Sequence, residues 1–460
     1  MPRGTLTALA EELAGAGYVV AGVDHPYENH ATTFPGGRVA ERVACDSDTD
    51  PGFGAKIRQN GQVGSSQLPG RQVIKSRRAH ARAIPLPTTA PTWMKDDMRR
   101  LWTVIMRTLC VVALAATGLA AGATGATAAE LPRWGFAVVR TGPVVDTLRQ
   151  AGSWPEGAGV EATAGGPGQV FVKFPQIGAA TGGVAHVTAI SRSADWCQVQ
   201  DWWQSGADEI VAVQCHRHGV GPVASWFSLT FGHSAVYLPA PQAFGYVHWD
   251  GSAVAAQFNS SAPTAVNTAA PLTSPGLWRV TLPGLGSAGH AGNIQVTAVE
   301  PDVPARCKLG GWTATTAAQS IVVRCYDAAG APLNTGWSLT YQRERPLVWA
   351  PQTYRFAYTF DNDPTAVGTY VPTPYQVSHN SRSAGVQLNR YGVARKQVIF
   401  GGLDGYRDNV QVTAFGYGPE FCNLSAPWEL SSAYVSIRYV TCYNGATQID
   451  HPAMVAYVAR

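Results

Sequence analysis

The chain has 460 residues, with 34 Lys+Arg against 30 Asp+Glu, 45% hydrophobic side chains and eight cysteines. Its first 129 residues hold 14 of the basic and 10 of the acidic side chains, so residues 130–460 carry 20 of each sign and no net charge. The length admits two to four domains, each with a core of its own. The neutral remainder excludes a basic nucleic-acid surface and an acidic tail.

Residues 5–28 read TLTALAEELAGAGYVVAGVDHPYE. Leu6, Leu9 and Leu13 recur at helical spacing, Gly15 and Gly17 suit a helix stop, and Tyr18–Val23 is a short apolar run with strand character. These residues, with the turn Thr33-Phe34-Pro35-Gly36-Gly37-Arg38, resemble α/β-hydrolases of the platelet-activating-factor acetylhydrolase and dienelactone hydrolase type. The resemblance covers roughly the first 40 residues and implies an α/β-hydrolase fragment over 1–42. Such an enzyme needs a G-x-S-x-G nucleophile elbow, a tight strand-to-helix turn that strains the serine. The nearest approach is Gly232-His233-Ser234-Ala235-Val236, which lacks the second glycine and has no helical pattern behind it.

Residues 43–93 have no steady period, contain Lys75, Arg77, Arg78 and Arg82, and end in a Pro/Thr-rich stretch. They read as a disordered linker. Residues 94–129 have the form of an export leader: Arg99, Arg100 and Arg107, an apolar run from Leu109, then Ala126-Thr127-Ala128 as a cleavage site. Met94 or Met98 would then be a natural start. The run is also near the length of a membrane anchor. Either reading puts residues 130–460 outside the cytoplasm, because the positive charges precede the apolar run.

From Glu130 onward a pattern recurs at about 110 residues. Each copy opens with an aromatic strand (Trp134–Val138, Phe244–Trp249, Tyr354–Tyr358) and continues to a strand of the form Val184–Ala189, Asn293–Ala298 or Asn409–Ala414. The alternation Ile294, Val296, Ala298 against Asn293, Gln295, Thr297 predicts a half-buried strand with its polar side in water. Next come paired cysteines, Cys197/Cys215, Cys307/Cys325 and Cys422/Cys442, each with a tryptophan (Trp202, Trp312, Trp428) five or six residues after the first. Six cysteines allow 15 connectivities, and the recurrence singles out these three local disulfides. Pairing Cys307 with Cys325 sets a register that puts Trp312 opposite Ser320. The expected fold is mainly β: three tandem β-sandwich-like repeats over 130–240, 241–348 and 349–460, each with a hairpin disulfide. The pattern resembles actinobacterial secreted proteins built of tandem β-repeats, a resemblance that implies export and carries no particular activity.

The functional readings fall into two classes. The first is a secreted or cell-surface, non-catalytic binding or adhesion module whose ligand is a carbohydrate or protein. The second is the hydrolase, of which only a non-catalytic fragment is present. Recurring tryptophans read as core, whereas Trp203, next to a core position, should face outward as a ligand contact. His216 and His218 beside Cys215 are further candidates, present in the first copy alone. No cysteine pair has zinc-ligand spacing, so no metal, cofactor or catalytic residue is assigned, nucleic acid is not expected as a partner, and membrane contact would come only through an uncleaved leader.

Overall fold

The computed structural model of the protein describes residues 31–33, 39–41 and 132–460, apart from 180–181, 235, 238–239, 349–354 and 374. The chain divides into two compact units, Met1–Ala113 and Leu114–Arg460. In the first, strands Ala31–Thr33 and Val39–Glu41 pair antiparallel. The helix expected over 5–17, the linker over 43–93 and the leader over 94–129 lie outside the described residues.

The second unit is mainly β, with one 3-10 turn at Tyr375–Val377 among its described residues. One pairing scheme occurs in three successive segments. In the first, the opening strand Arg133–Arg140 pairs with the closing strand Trp226–His233, which pairs on its other edge with an inner strand, Val184–Ile190. The second segment has Ala243–Trp249, Gly336–Arg343 and Asn293–Val299 in these roles, and the third has Arg355–Asp361, Ala453–Ala459 and Asp408–Ala414. All are antiparallel. Each segment adds a second sheet, in which a flanking strand (Gln169–Phe174, Leu277–Pro283 or Lys396–Gly401) pairs with the second arm of the cysteine hairpin.

The two sheets of a segment pack face to face because each has one apolar side. In the first, Val187, Phe227, Leu229 and Phe231 meet Val172, Phe174, Val211 and Val213 in one cluster. In the second, Ile294, Trp337, Leu339 and Tyr341 meet Trp278, Val280, Ile321 and Val323. The third sets Val410, Val412 and Tyr457 against Val398, Phe400, Val435 and Ile437. Each such side chain, fully buried, stabilises the fold by about 1.5–3 kcal/mol.

The three disulfides link Cys197–Cys215, Cys307–Cys325 and Cys422–Cys442. They face the core, since Cys215 and Cys325 are buried beside Val213 and Val323. Beyond them the register departs from simple counting. Leu309 faces Val323 but Gly311 faces Val322, so Gly310 is an inserted bulge residue and Trp312 lies opposite Ile321 rather than Ser320. The first segment has the same irregularity at Gln200, which puts Trp202 opposite Val211. A bulge adds one residue to one arm and returns the next side chain to the core face, which lets Trp312 pack inward. Replacing Cys307 and Cys325 together with alanine should lower stability by about 3 kcal/mol, the chain-entropy value for a loop of this size. Urea unfolding of the double variant measures it.

The inner strands correct one sequence expectation. All seven residues of each are buried, on both faces. Their polar side faces the other segments instead of water. Inner strand and first hairpin arm meet across segments, Val299 with Val199, Ile190 with Leu424 and Phe415 with Leu309, each contact parallel. Segment 2 thus abuts segment 1, segment 1 abuts segment 3, and segment 3 abuts segment 2. The sandwiches form a closed ring with the inner strands at its centre.

Candidate functional site

The residues singled out from sequence lie apart. Trp203 is 42% exposed and packs edge-on against Phe171. Its neighbour Trp202 turns inward, is half-buried against the first core, and donates its indole N–H to Gly182 O at 3.2 Å. His216 is buried and stacks on Trp196, and burial pushes its pKa down to about 4. Trp203 faces Ile210 near the hairpin tip while His216 faces Trp196 at its base, about 20 Å apart along a strand. His218 lies past the strand end at Arg217 and donates its backbone N–H to Ala194 O. The two histidines therefore do not share a ligand face. Among the described residues no group of three or more His, Cys, Asp or Glu is placed to hold a metal. Ser234 is buried at the end of a strand, its Oγ accepting from Arg345 at 3.3 Å. Asn259 and Asn423, which match a glycosylation pattern, are buried.

What sequence reasoning missed sits at the ring centre. Thr188 Oγ1 accepts the Val412 N–H and donates to Gln411 Oε1, both at 2.9 Å. Thr413 does the same to Val296 N–H and Gln295, again at 2.9 Å. Thr297 accepts from the Val187 N–H at 3.4 Å and meets His186 Nδ1 at 3.1 Å, the histidine standing where the other segments have glutamine. His186 Nε2 reaches Thr340 Oγ1 at 2.8 Å, and burial lowers its pKa to about 3. Each threonine thus ties its own inner strand to that of an adjoining segment.

A second cycle lies one layer out, at the residue after each first cysteine. Gln198 donates to Glu300 O and Val303 O and accepts from the Ala305 N–H. Asn423 donates to Ser193 O and Asp195 O. Lys308 Nζ lies 3.0 Å from each of Gly418 O, Glu420 Oε2 and His451 Nε2. Segment 1 grips segment 2, segment 2 grips segment 3 and segment 3 grips segment 1. Burial lowers the Lys308 pKa to about 8 against the attraction of Glu420. Burial opposes ionisation of Glu420 too, but the Lys308 ammonium holds its carboxyl below the usual range. An amine with all three protons so directed is a structural cation rather than a nucleophile. Beside it Arg306 is clamped between Trp196 and Phe421, with ring centres 4.9 and 4.8 Å from its guanidinium carbon. The pocket between these side chains is about 50 Å³, room for a few waters.

A wider groove lies elsewhere, where the third segment departs from the other two. Its cysteines are 20 residues apart instead of 18. The first arm leaves its strand at Leu424, bows out through Ser425-Ala426-Pro427-Trp428, and rejoins at Glu429–Leu430. Pro427 has no N–H for a ladder. On the facing arm a bulge sets two residues, Arg438 and Tyr439, between Ile437 and Val440 where the flanking strand has Gln397 alone, and Tyr439 takes the left-handed φ of 51°. The Ser425 N–H bonds Tyr439 O at 3.0 Å, fixing the two detours together. The result is a groove of about 550 Å³ lined by Arg192, Arg395, Arg438, Glu429, Tyr439 and Gln448. Trp428 points away from it into the core, where its indole donates to Asp408 beneath the Arg149 guanidinium. The two-residue excess between the third pair of cysteines, together with Pro427, was the available signal for this groove.

No family model, curated protein or solved structure matches this chain.

Proposed function

We propose that the protein works outside the cytoplasm as a non-catalytic binding or adhesion module, built of three copies of one β-sandwich unit and exported through the leader at 94–129. The observation that carries this reading is how its polar side chains are used. The buried ones near the centre join segment to segment, and the open arginine-lined groove arises where the third copy differs from its partners. A groove carried on a closed ring of sandwiches suits recognition. The three disulfides are compatible with an oxidising compartment. No helix among the described residues is long and apolar enough to cross a membrane.

The test is made on the protein exported by a bacterial host. Its intact mass should correspond to a chain beginning at Ala129 and lacking six hydrogens, and the product should bind intact cells or isolated cell-wall material. A full-length cytosolic product with free thiols, or a correctly exported product that binds no cell-surface material, would overturn the reading.

A further inference from the structure

We propose that the groove of the third segment is a binding site for an anionic polysaccharide, one bearing carboxylate, sulfate or phosphate groups on its sugars. This rests on the binding-module reading and specifies its ligand.

The charge comes first. Residues 130–460 are balanced in charge, yet the groove gathers three arginines against a single carboxylate. Glu429 pairs with Arg438 at 3.0 Å. Arg395 lies over the Tyr439 ring at 5.5 Å, and neither it nor Arg192 has an ion-pair partner among the described residues. Two guanidinium forks are therefore available for the planar, bidentate pairing that carboxylate, sulfate and phosphate accept. They come from different segments, since Arg192 belongs to the first, and the ring closure is what brings it to the groove.

The rest of the lining selects the kind of anion carrier. Tyr439 is the aromatic side chain of the lining, and Tyr391, 60% exposed, stands edge-on to it at 6.1 Å outside the groove. An aromatic face with an amide beside it, here Tyr439 and Gln448, suits sugar rings and their hydroxyls. An extended acidic peptide would want an open strand edge, but the bowed segment has turned its polar groups inward: the Ser425 N–H goes to Tyr439 O and its Oγ to Arg438 O. A nucleic acid would want a long basic stripe, and the balanced charge of this region does not supply one. Exposed ion pairs are individually weak and screened by salt. A single small anion would therefore bind poorly, and useful affinity calls for a polymer that presents anions in series.

The experiment uses the exported full product and four probes: polygalacturonate, dextran sulfate, uncharged dextran and polyglutamate, measured by calorimetry at 0.05 and 0.3 M NaCl. The expected result is binding of at least one anionic polysaccharide, weakened about tenfold or more by the higher salt, with no comparable binding of dextran or polyglutamate. Arg192→Ala/Arg395→Ala should weaken binding at least tenfold without moving thermal unfolding. Arg279→Ala, on the flanking strand of the second segment, should leave it unchanged. Equal binding by the double variant would remove the groove as the site. Equal binding of dextran would remove the anion requirement, and groove-dependent binding of polyglutamate would replace the saccharide by an acidic peptide. If no polysaccharide binds while cell-surface binding persists, this inference alone fails. If both are absent, the binding-module reading falls with it.

Discussion

Replacing His186 with glutamine should leave stability at pH 7.5 within about 1 kcal/mol of the parent protein and raise it by about 3 kcal/mol at pH 4.5. Glutamine already occupies the corresponding place in the other inner strands, where Gln295 and Gln411 accept from Thr413 and Thr188. An amide at 186 would offer its oxygen to Thr297 and its N–H to Thr340, the two hydroxyls that His186 now contacts. The pH dependence follows from burial, which drops the histidine from 6.5 to about 3 in the folded protein. The unfolded chain binds a proton as pH falls through 6.5 and the folded chain does not. The histidine therefore costs nothing above pH 6.5 and costs progressively more from there down to about 3. Two carboxyls act in the opposite sense, since burial raises Glu209 to about 7 and Asp408 to about 6. Both proteins share them, so they cancel in the comparison. Urea unfolding at the two pH values is the measurement, and an equal acid response of the two proteins would contradict the assignment of His186 as neutral in the fold.

Lys308→Met should be the more damaging change at neutral pH, costing about 3 kcal/mol or more. It strips the Gly418 carbonyl of its donor and leaves Glu420, half-buried beside His451, without its countercharge. Adding Glu420→Gln should recover part of the loss, because a neutral amide in that position costs less than an unpaired carboxylate. An exposed pair gives the contrast. Lys173 and Glu161 are 2.8 Å apart but lie in solvent, so Lys173→Met should leave the urea midpoint unchanged. A double-mutant cycle across Lys308 and Glu420 separates the pair from the rest of the grip. A coupling near zero would mean that Lys308 acts only through the carbonyl.

How far the fold can be read in the residues depends on the range of the forces that decide each feature. Alternation of Val, Thr and aromatic side chains is a local steric and hydrophobic signal, and it marked the strands and the mainly β class. Paired cysteines with a tryptophan between them marked the hairpins, because a disulfide near a hairpin base needs little besides proximity. Counting residues across such a hairpin failed at Gly310 and Gln200. A bulge depends on how the twisted arm packs on the opposite sheet, which no pairing count contains. The groove stands between these cases. Two extra residues and Pro427 between the third cysteines are visible in the sequence, yet that they form a basin, and that Arg192 reaches it from the first segment, follows from packing.

The chain's own sequence determined its β class, the positions of its strands and the pairing of its cysteines, since each rests on contacts within a few dozen residues. Tertiary structure decided where the polar side of each inner strand points. Asn293, Gln295 and Thr297 read as a water-facing edge, because polar side chains on alternate positions ordinarily meet solvent. They are buried instead. A buried polar group is tolerated only when a partner satisfies it, and those partners, Thr413 for Gln295 and the Val187 N–H for Thr297, lie more than a hundred residues away and meet them only once the ring has closed.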